Sequence, residues 1–238
     1  MQKALIQKLK CVFLGVTFIC LTEGCGNYPS ALSSSTGIKW ASPDIEMIAI
    51  TDLPIEDYPL LAKFQKLKSI QYYKNGRSGA TDAKLEALAN VKLPRLKDIE
   101  LIAAKSVTDK GVLALSRMPS LKGLSLEGTS ITDNACEIMT SKMNLDGVNV
   151  ANCDYLTMNG LLMLAKSETF KDISIPADKL TEDEVVRLIH GLKSITSCEF
   201  VDPKGRLNEK TLEALVSGKG ITIIVKRTGA LQDLQSTP

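Results

Sequence analysis

The chain of 238 residues has few aromatic residues, a single tryptophan and a single histidine. Aromatic residues make up only 5% of the sequence, so its core must consist largely of aliphatic side chains, which suit thin, regular layers better than a bulky sandwich. The lone histidine, His190, leaves no imidazole pair for zinc and no obvious serine–histidine–aspartate set. We therefore expect His190 to be an exposed residue at the end of a helix, where a positive charge is favourable.

The sequence also lacks an apolar run of the roughly 20 residues that a bilayer-spanning helix needs. Its most apolar stretch, residues 11–22, is 12 residues long and follows three lysines. A basic start followed by a short apolar run is typical of a signal peptide, here predicted over residues 1–24. That segment holds three lysines and one glutamate, a net +2, which equals the formal charge of the whole chain. The remaining chain is near neutral and offers no concentrated basic face for nucleic acid.

The apolar run ends in Leu-Thr and is followed by Glu-Gly-Cys, ending at Cys25. A small residue followed by cysteine at this place resembles the lipobox of bacterial lipoproteins, although Thr22 and Glu23 occupy places where that family has leucine and a small or β-branched residue. The resemblance implies lipidation at Cys25, a membrane anchor that does not span the bilayer, and export to the cell envelope, either periplasmic or surface-exposed. Ordinary cleavage near Gly24 and an uncleaved anchor are the alternatives.

The six cysteines do not show the spacing of a disulfide framework or of a zinc site, since no CxxC pair is present. Two of them lie in the predicted signal peptide and Cys25 is the predicted lipidation site. The three that remain are Cys136, Cys153 and Cys198. We expect these three to be small buried residues of the core, with no metal bound.

The two ends of the remaining chain differ in composition from its middle. Residues 26–44 are rich in serine, proline and glycine, which predicts a tether and an N-terminal cap over residues 25–44. Within that stretch Trp40 is expected to cover the open end of the first layer of the fold. At the other end, residues 229–238 are expected to form a flexible tail.

From Ile45 onward the sequence repeats a short apolar pattern, with apolar residues at positions 1, 4 and 6 of each unit. The units begin at Ile45, Leu67, Leu96, Leu121, Leu145, Phe170 and Ile195. Alternation of apolar and other residues at positions 4 to 6 predicts a strand in each unit, and an apolar run at residues 221–225 predicts a closing strand. Spacings of 22 to 29 residues fall in the range of leucine-rich repeats.

The second half of each later unit carries the signals of a helix start. Residue types that cap helices stand at Thr81, Thr108, Thr132, Thr157, Thr181 and Asn208. Thr181 is followed three residues later by Glu184, which predicts a capping box. Apolar residues then recur at a spacing of three, as on one face of a helix. Each unit is therefore predicted to be a short strand, a turn and a short helix.

The pattern LxxLxL followed by [IV]-T-D-x-G-[LV]-x-x-L resembles the leucine-rich repeat, and most closely its cysteine-containing type and bacterial relatives. Residues 96–115, 121–133 and 145–164 match best, and Cys153 falls where that type often has its cysteine. The resemblance implies an α/β fold over residues 45–228, a right-handed solenoid of about seven units plus a closing strand. Its parallel sheet would line the concave side and its helices the convex side. The first unit departs from the pattern, and the second carries an insertion at residues 76–79.

The strand residues that point outward from the concave sheet are the candidate binding surface. The residues selected from these positions are Lys97, Glu100, Lys122, Ser125, Glu127, Asn149, Lys171 and Ser174. The lysines among them are the nearest approach to a charged patch, with a merely solvated strand edge as the alternative. No nucleophile, base and orienting group occur in a recognisable set. These observations favour a non-catalytic scaffold without a cofactor, which binds a protein partner at the cell envelope; the alternative is a structural envelope lipoprotein without a discrete ligand.

Overall fold

The computed structural model describes residues 30–72, 79–178 and 180–227. The predicted signal peptide, the predicted lipidation site at Cys25 and the predicted tail at 229–238 lie outside the described residues. The strands are β1 (Ser30–Leu32), β2 (Met47–Ile50), β3 (Ser69–Tyr72), β4 (Asp98–Leu101), β5 (Gly123–Ser125), β6 (Gly147–Asn149), β7 (Asp172–Pro176), β8 (Ser197–Val201) and β9 (Thr222–Lys226). The α-helices are α1 (Ser35–Trp40), α2 (Asp82–Ala89), α3 (Asp109–Leu115), α4 (Asp133–Lys142), α5 (Met158–Ala165), α6 (Glu182–Gly191) and α7 (Glu209–Val216), and a 3-10 helix spans Ile55–Lys63.

All nine strands belong to one parallel sheet whose order follows the chain from β1 to β9. Consecutive helices contact one another and form a second layer over the sheet. Because each unit contacts mainly its neighbours along the chain, the core is continuous and no unit buries its apolar face alone. The protein is thus an α/β leucine-rich-repeat solenoid, as its repeat pattern predicts.

The register of the sheet confirms the alignment of the units. The residues at position 4 pair from strand to strand in one column, which runs Ile48, Ile70, Ile99, Leu124, Val148, Ile173, Cys198 and Ile223. Every member of this column is buried. The side chains at positions 4 and 6 point into the core because alternate residues of a strand face opposite sides of the sheet.

The predicted helix starts are confirmed in all six cases. Each capping side chain accepts a hydrogen bond from a backbone N–H in the first turn of its own helix. At α6 the reciprocal bond is also present, since the backbone N–H of Thr181 donates to Glu184 Oε2 at 2.8 Å. The short helices therefore begin where their first turns find a local acceptor.

A second function of the threonine caps appears only between units. In three successive joints, the backbone N–H and the hydroxyl of the cap both donate to an aspartate in the first turn of the preceding helix. The pairs are Thr108 with Asp82, Thr132 with Asp109 and Thr157 with Asp133, and the backbone nitrogen lies 2.8 Å from the carboxylate in each. This Thr–Asp ladder explains the T-D dipeptide of the repeat, because each threonine caps one helix while its aspartate neighbour binds the next unit.

Two glycines, each three residues after a capping threonine, are required by the same contact. A Cβ on Gly111 would lie 2.7 Å from Asp82 Oδ1, and one on Gly160 would lie 2.9 Å from Asp133 Cγ. Both distances are shorter than van der Waals contact allows. The ladder carboxylate thus occupies the space that a side chain at these positions would need.

The N-terminal segment corrects two expectations. Strand β1 pairs with β2, so the sheet has one strand more than the repeat alone predicts. Trp40 does not cover the open end of the first layer, because it is 86% exposed, and Leu32 and Ile38 are buried there instead. Burial of these two aliphatic residues completes the first layer without the indole.

The first full unit is irregular, as its sequence predicts. Its convex segment is the 3-10 helix, which contains Pro59 and starts after Pro54. Proline lacks the N–H that an α-helix interior requires, so the tighter helix replaces the α-helices of later units. Tyr58 and Leu61 of this segment are nevertheless fully buried, and the unit contributes to the common core.

Candidate concave binding surface

The concave surface is formed by the strand residues that alternate with the buried columns. Position 5 runs across neighbouring strands as Ala49, Gln71, Glu100, Ser125, Asn149, Ser174 and Glu199. Position 3 runs parallel to it as Met47, Ser69, Asp98, Gly123, Gly147, Asp172 and Ser197. The predicted surface contained position 5 but not position 3, although the period of a strand places both on the same face.

The three predicted lysines lie at the start of their strands and form what we call the lysine rim (Lys97, Lys122 and Lys171). The backbone carbonyls of Lys97 and Lys171 each accept two N–H groups from the following unit. Their side chains are exposed. Lys122 is more constrained, since its Nζ donates to Asn144 O at 2.9 Å and lies 3.6 Å from Asp146 Oδ1. The rim is therefore an edge of the concave surface and not its centre.

The centre of the surface is acidic, which the sequence interpretation did not recognise. A group that we call the carboxylate row consists of Asp98, Glu100, Glu127, Asp172 and Glu199. Its members come from units up to 101 residues apart in the chain, and they alternate between positions 3, 5 and 7. No single column of outward positions is rich in carboxylates, and the acidic character of the face is visible only when positions 3, 5 and 7 are considered together.

Glu100 has the most perturbed carboxyl group of the row. Burial raises its pKa from 4.5 to about 7, the hydrogen bond from Gln71 Nε2 at 2.8 Å lowers it, and the charge of Glu127 raises it again. Desolvation disfavours the ionised form, and a neighbouring carboxylate adds to that effect. Glu100 is thus a group whose charge changes near neutral pH.

Two further carboxyl groups of the row are perturbed in the same direction. Burial raises the pKa of Asp98, with Lys97 lowering it and Asp146 raising it. Burial also raises the pKa of Asp172, and the charge of Asp146 adds to that effect. Burial and the charge of Asp146 therefore disfavour the ionised forms of both carboxyl groups, and of the lysine rim only Lys97 opposes that effect, at Asp98.

Two predicted site residues are less accessible than expected. Glu127 is only 2% exposed, because its carboxylate accepts hydrogen bonds from Asn149 Nδ2 at 3.3 Å and Asn152 Nδ2 at 2.9 Å. Ser174 is 7% exposed, and its hydroxyl donates to Glu199 Oε1 at 2.8 Å. Hydrogen bonds between adjacent strands thus cover these side chains. Ser125 and Asn149 are half-buried on the same face.

The cysteines are confirmed as core residues. All three are buried free thiols. Burial raises the pKa of Cys153 to about 11, and its Sγ donates to Leu126 O at 3.1 Å. Burial also raises the pKa of the Cys136 and Cys198 thiols well above the ordinary value. Thiols in such surroundings are poor nucleophiles and poor metal ligands.

The remaining chemistry-bearing groups do not converge on one place. His190 is exposed in the last turn of α6, as predicted. Within residues 30–72, 79–178 and 180–227, no three histidine, cysteine, aspartate or glutamate side chains are arranged to hold a metal ion. No helix of the same ranges has both the length and the apolar character needed to cross a membrane.

Comparison with known proteins adds little to this geometry. No protein-family model matches the chain, and no curated protein matches it. Among solved structures, it is similar to a chain in the crystal structure of the Rad7 and Elc1 complex in yeast, with 17% identity and a TM-score of 0.43. The match covers 72% of this chain and 55% of that chain, so the protein spans about half the length of the structure it matches. The assignment of the fold therefore rests on the strand order, register and repeat of the chain itself.

Proposed function

We propose that this protein is a non-catalytic scaffold of the bacterial cell envelope that binds a basic segment of a protein partner on its concave surface. The observation that supports this proposal is the carboxylate row on a curved face. Asp98, Glu100, Asp172 and Glu199 make no ion pair with any lysine or arginine that the structure describes. A partner that supplies positive charge would complement the carboxylate row and would also be steered towards it by electrostatic attraction.

The dimensions of the row suit an extended peptide. Glu100 on β4 and Glu199 on β8 are separated by four strand spacings, or about 19 Å at about 4.8 Å per strand. Glu199 is only 5% exposed, so the accessible carboxylates of the row are those of Asp98, Glu100 and Asp172. An extended peptide rises about 3.3 Å per residue, so about six residues would cross the row. Lysine or arginine at alternate positions would face the carboxylates, because alternate side chains of an extended segment share one side.

A titration with a basic peptide tests the chemistry directly. The probe is a fluorescent hexapeptide that alternates lysine and serine, and the test variant is Glu100→Gln with Asp172→Asn. Loss of two charge contacts of about 1 kcal/mol each should weaken binding by about 30-fold. The matched control, Glu137→Gln with Glu213→Gln, removes the same charge from exposed convex helices and should bind like the wild type. Equal affinities in all three proteins would contradict the concave site.

The natural partner can be sought with the same variants. A photoreactive side chain at Lys97, on the exposed rim, would crosslink a partner that lies across the concave surface. In native envelopes, the protein with its carboxylates intact should give a crosslinked product. That product should be absent from the Glu100/Asp172 variant, and an excess of the basic peptide should reduce its yield. A product that persists in that variant would place the binding surface elsewhere.

The envelope location is proposed on the lipobox-like segment that ends at Cys25. We propose that Cys25 carries the lipid and is the membrane anchor of the mature chain. Metabolic labelling with a fatty acid should mark the wild type and leave Cys25→Ser unmarked. Equal labelling of both proteins would refute lipidation at this residue, and ordinary cleavage near Gly24 would then be the better account.

A structural envelope lipoprotein without a discrete ligand is the second candidate function. It is favoured by the hydrogen bonds that Glu127 receives from Asn149 and Asn152, since these satisfy concave polar groups within the protein itself. In that case Glu127→Gln should lower the free energy of unfolding without any binding defect. Deletion of the protein should weaken the envelope, and the Glu100/Asp172 variant should restore it as fully as the wild type does.

A further inference from the structure

The first unit of the solenoid presents an exposed tryptophan on a rigid base. Trp40 is the last residue of α1 and is 86% exposed, although tryptophan is among the most highly buried side chains on average. Ile38, two residues earlier, is 1% exposed and fixes the opposite side of the helix to the core. The indole is therefore directed outward by a packed element.

The end of this helix is also held by a neighbouring side chain. Lys63 Nζ donates to the backbone carbonyls of Ile38 at 2.8 Å, Lys39 at 3.0 Å and Ala41 at 2.9 Å. These carbonyls flank Trp40 on both sides, and a cation at a helix C-terminus is favourable. The backbone that carries the indole is thus tied to the 3-10 helix of the first unit.

The immediate neighbour of the indole is basic. Lys39 is exposed, and its ammonium group makes no ion pair with any described residue. Tryptophan next to lysine is the combination found at membrane interfaces, where an amphipathic ring lies at the level of the head groups and a cation contacts anionic lipid.

The short stretch of chain between Cys25 and β1 limits how far Trp40 can lie from a lipid on Cys25. Four residues lie between Cys25 and Ser30, the first residue of β1, and the five steps from one to the other span at most about 18 Å when fully extended. Helix α1 packs on β1. A lipid on Cys25 would therefore keep the first unit, and with it Trp40, within a short distance of the bilayer surface.

We propose that Trp40 and Lys39 contact the membrane surface, so that the anchored solenoid stands with its first unit on the bilayer and its concave face accessible. This inference rests on the anchor at Cys25 proposed above. It gives the exposed indole an apolar partner, and it orients the sheet by two points of attachment instead of one flexible tether.

Because Trp40 is the only tryptophan of the chain, its fluorescence reports its own surroundings. The experiment uses a chain that begins at Cys25, which contains every described residue, coupled through that thiol to a maleimide lipid in vesicles of phosphatidylcholine and phosphatidylglycerol. The other thiols are buried and have raised pKa values, so coupling is confined to Cys25. We expect the emission to shift to shorter wavelength on coupling and to be quenched by brominated lipids.

The control moves the tryptophan along the solenoid. In Trp40→Phe with Tyr155→Trp, the reporter replaces a side chain that is 62% exposed and lies in a later unit. Its emission should stay at long wavelength and unquenched. Wild-type emission that is unchanged on coupling, quenching that is equal in the control, or loss of exposure through dimerisation in the absence of lipid would each overturn the proposal.

The chemical coupling separates this inference from the proposed lipidation. Quenching of Trp40 combined with absent fatty-acid labelling at Cys25 would support a membrane-binding first unit and refute the natural anchor. Labelling without quenching would support the anchor and refute the contact of Trp40 with the bilayer.

Discussion

Substitution of Gly160 by alanine would test the Thr–Asp ladder, because the new Cβ would overlap the carboxylate of Asp133. The aspartate must move, and it then loses the two hydrogen bonds that it accepts from Thr157. These bonds are solvent-exposed, so we assign about 1–1.5 kcal/mol to each. Alanine offsets about 1 kcal/mol of the loss through its higher helix propensity. We expect Gly160→Ala to lower the free energy of unfolding by about 1–2 kcal/mol.

A matched glycine gives the opposite sign. Gly191, the last residue of α6, would place a Cβ 3.6 Å from Leu162 Cδ2 and 3.7 Å from Ala165 Cβ, which are ordinary contacts. Gly191→Ala should therefore raise the free energy of unfolding by about 0.5–1 kcal/mol. Urea unfolding of both variants, followed by circular dichroism, measures the two effects in the same protein.

The cause of the Gly160 effect is isolated by a double-mutant cycle. Without the carboxylate, in an Asp133→Ala background, most of the cost of Gly160→Ala should disappear, because only the backbone of residue 133 still lies near the new Cβ. If Gly160→Ala is as destabilising in that background as in the wild type, the carboxylate is not the cause and the argument from the ladder is wrong.

Three further predictions concern the core and the concave face. Folding raises the pKa of Glu100 from 4.5 to about 7, so the contribution of this group to stability is complete below pH 4.5 and is lost as the pH rises through 7. Glu100→Gln should therefore reduce the loss of stability that urea titrations measure between pH 5 and pH 8. An unchanged pH profile would contradict the assignment. Leu124→Ala, at position 4 of β5, should cost about 3 kcal/mol of unfolding free energy in urea, and a cost below about 1 kcal/mol would contradict its place in the packed column. In a chain that starts at residue 25 and carries Cys25→Ser, the three remaining thiols should react with a thiol reagent only after denaturation, and rapid reaction of the native protein would contradict their burial.

Much of the fold is readable from the sequence because its signals are local. A threonine cap and the N–H group that it binds lie two or three residues apart, so Thr108 and Thr181 identify helix starts without reference to the rest of the chain. The alternation at positions 4 and 6 likewise spans three residues. The exception is β1, whose three residues are too few to show a period and which forms because β2 offers a pairing edge.

The candidate site was less readable, for a geometric reason. Glu100 and Glu127 belong to successive units and to different positions of the repeat, so no single column shows them together. The charge of Glu127 raises the pKa of Glu100, and the size of that effect depends on the distance between neighbouring strands. The lysines at position 2 recur in one column and were therefore predicted to belong to the binding surface, yet the structure places them at the edge of the face.

The sequence by itself determined the repeat, the strand and helix starts, and the residues of the core, since each depends on composition and spacing within one unit. Only the tertiary structure decided which units' side chains meet. Asp133 and Thr157 are 24 residues apart and bind each other because the units stack in register. Trp40 remains outside because Leu32 and Ile38 already fill the first layer. Contacts between units follow from stacking geometry, which a pattern within one unit does not contain.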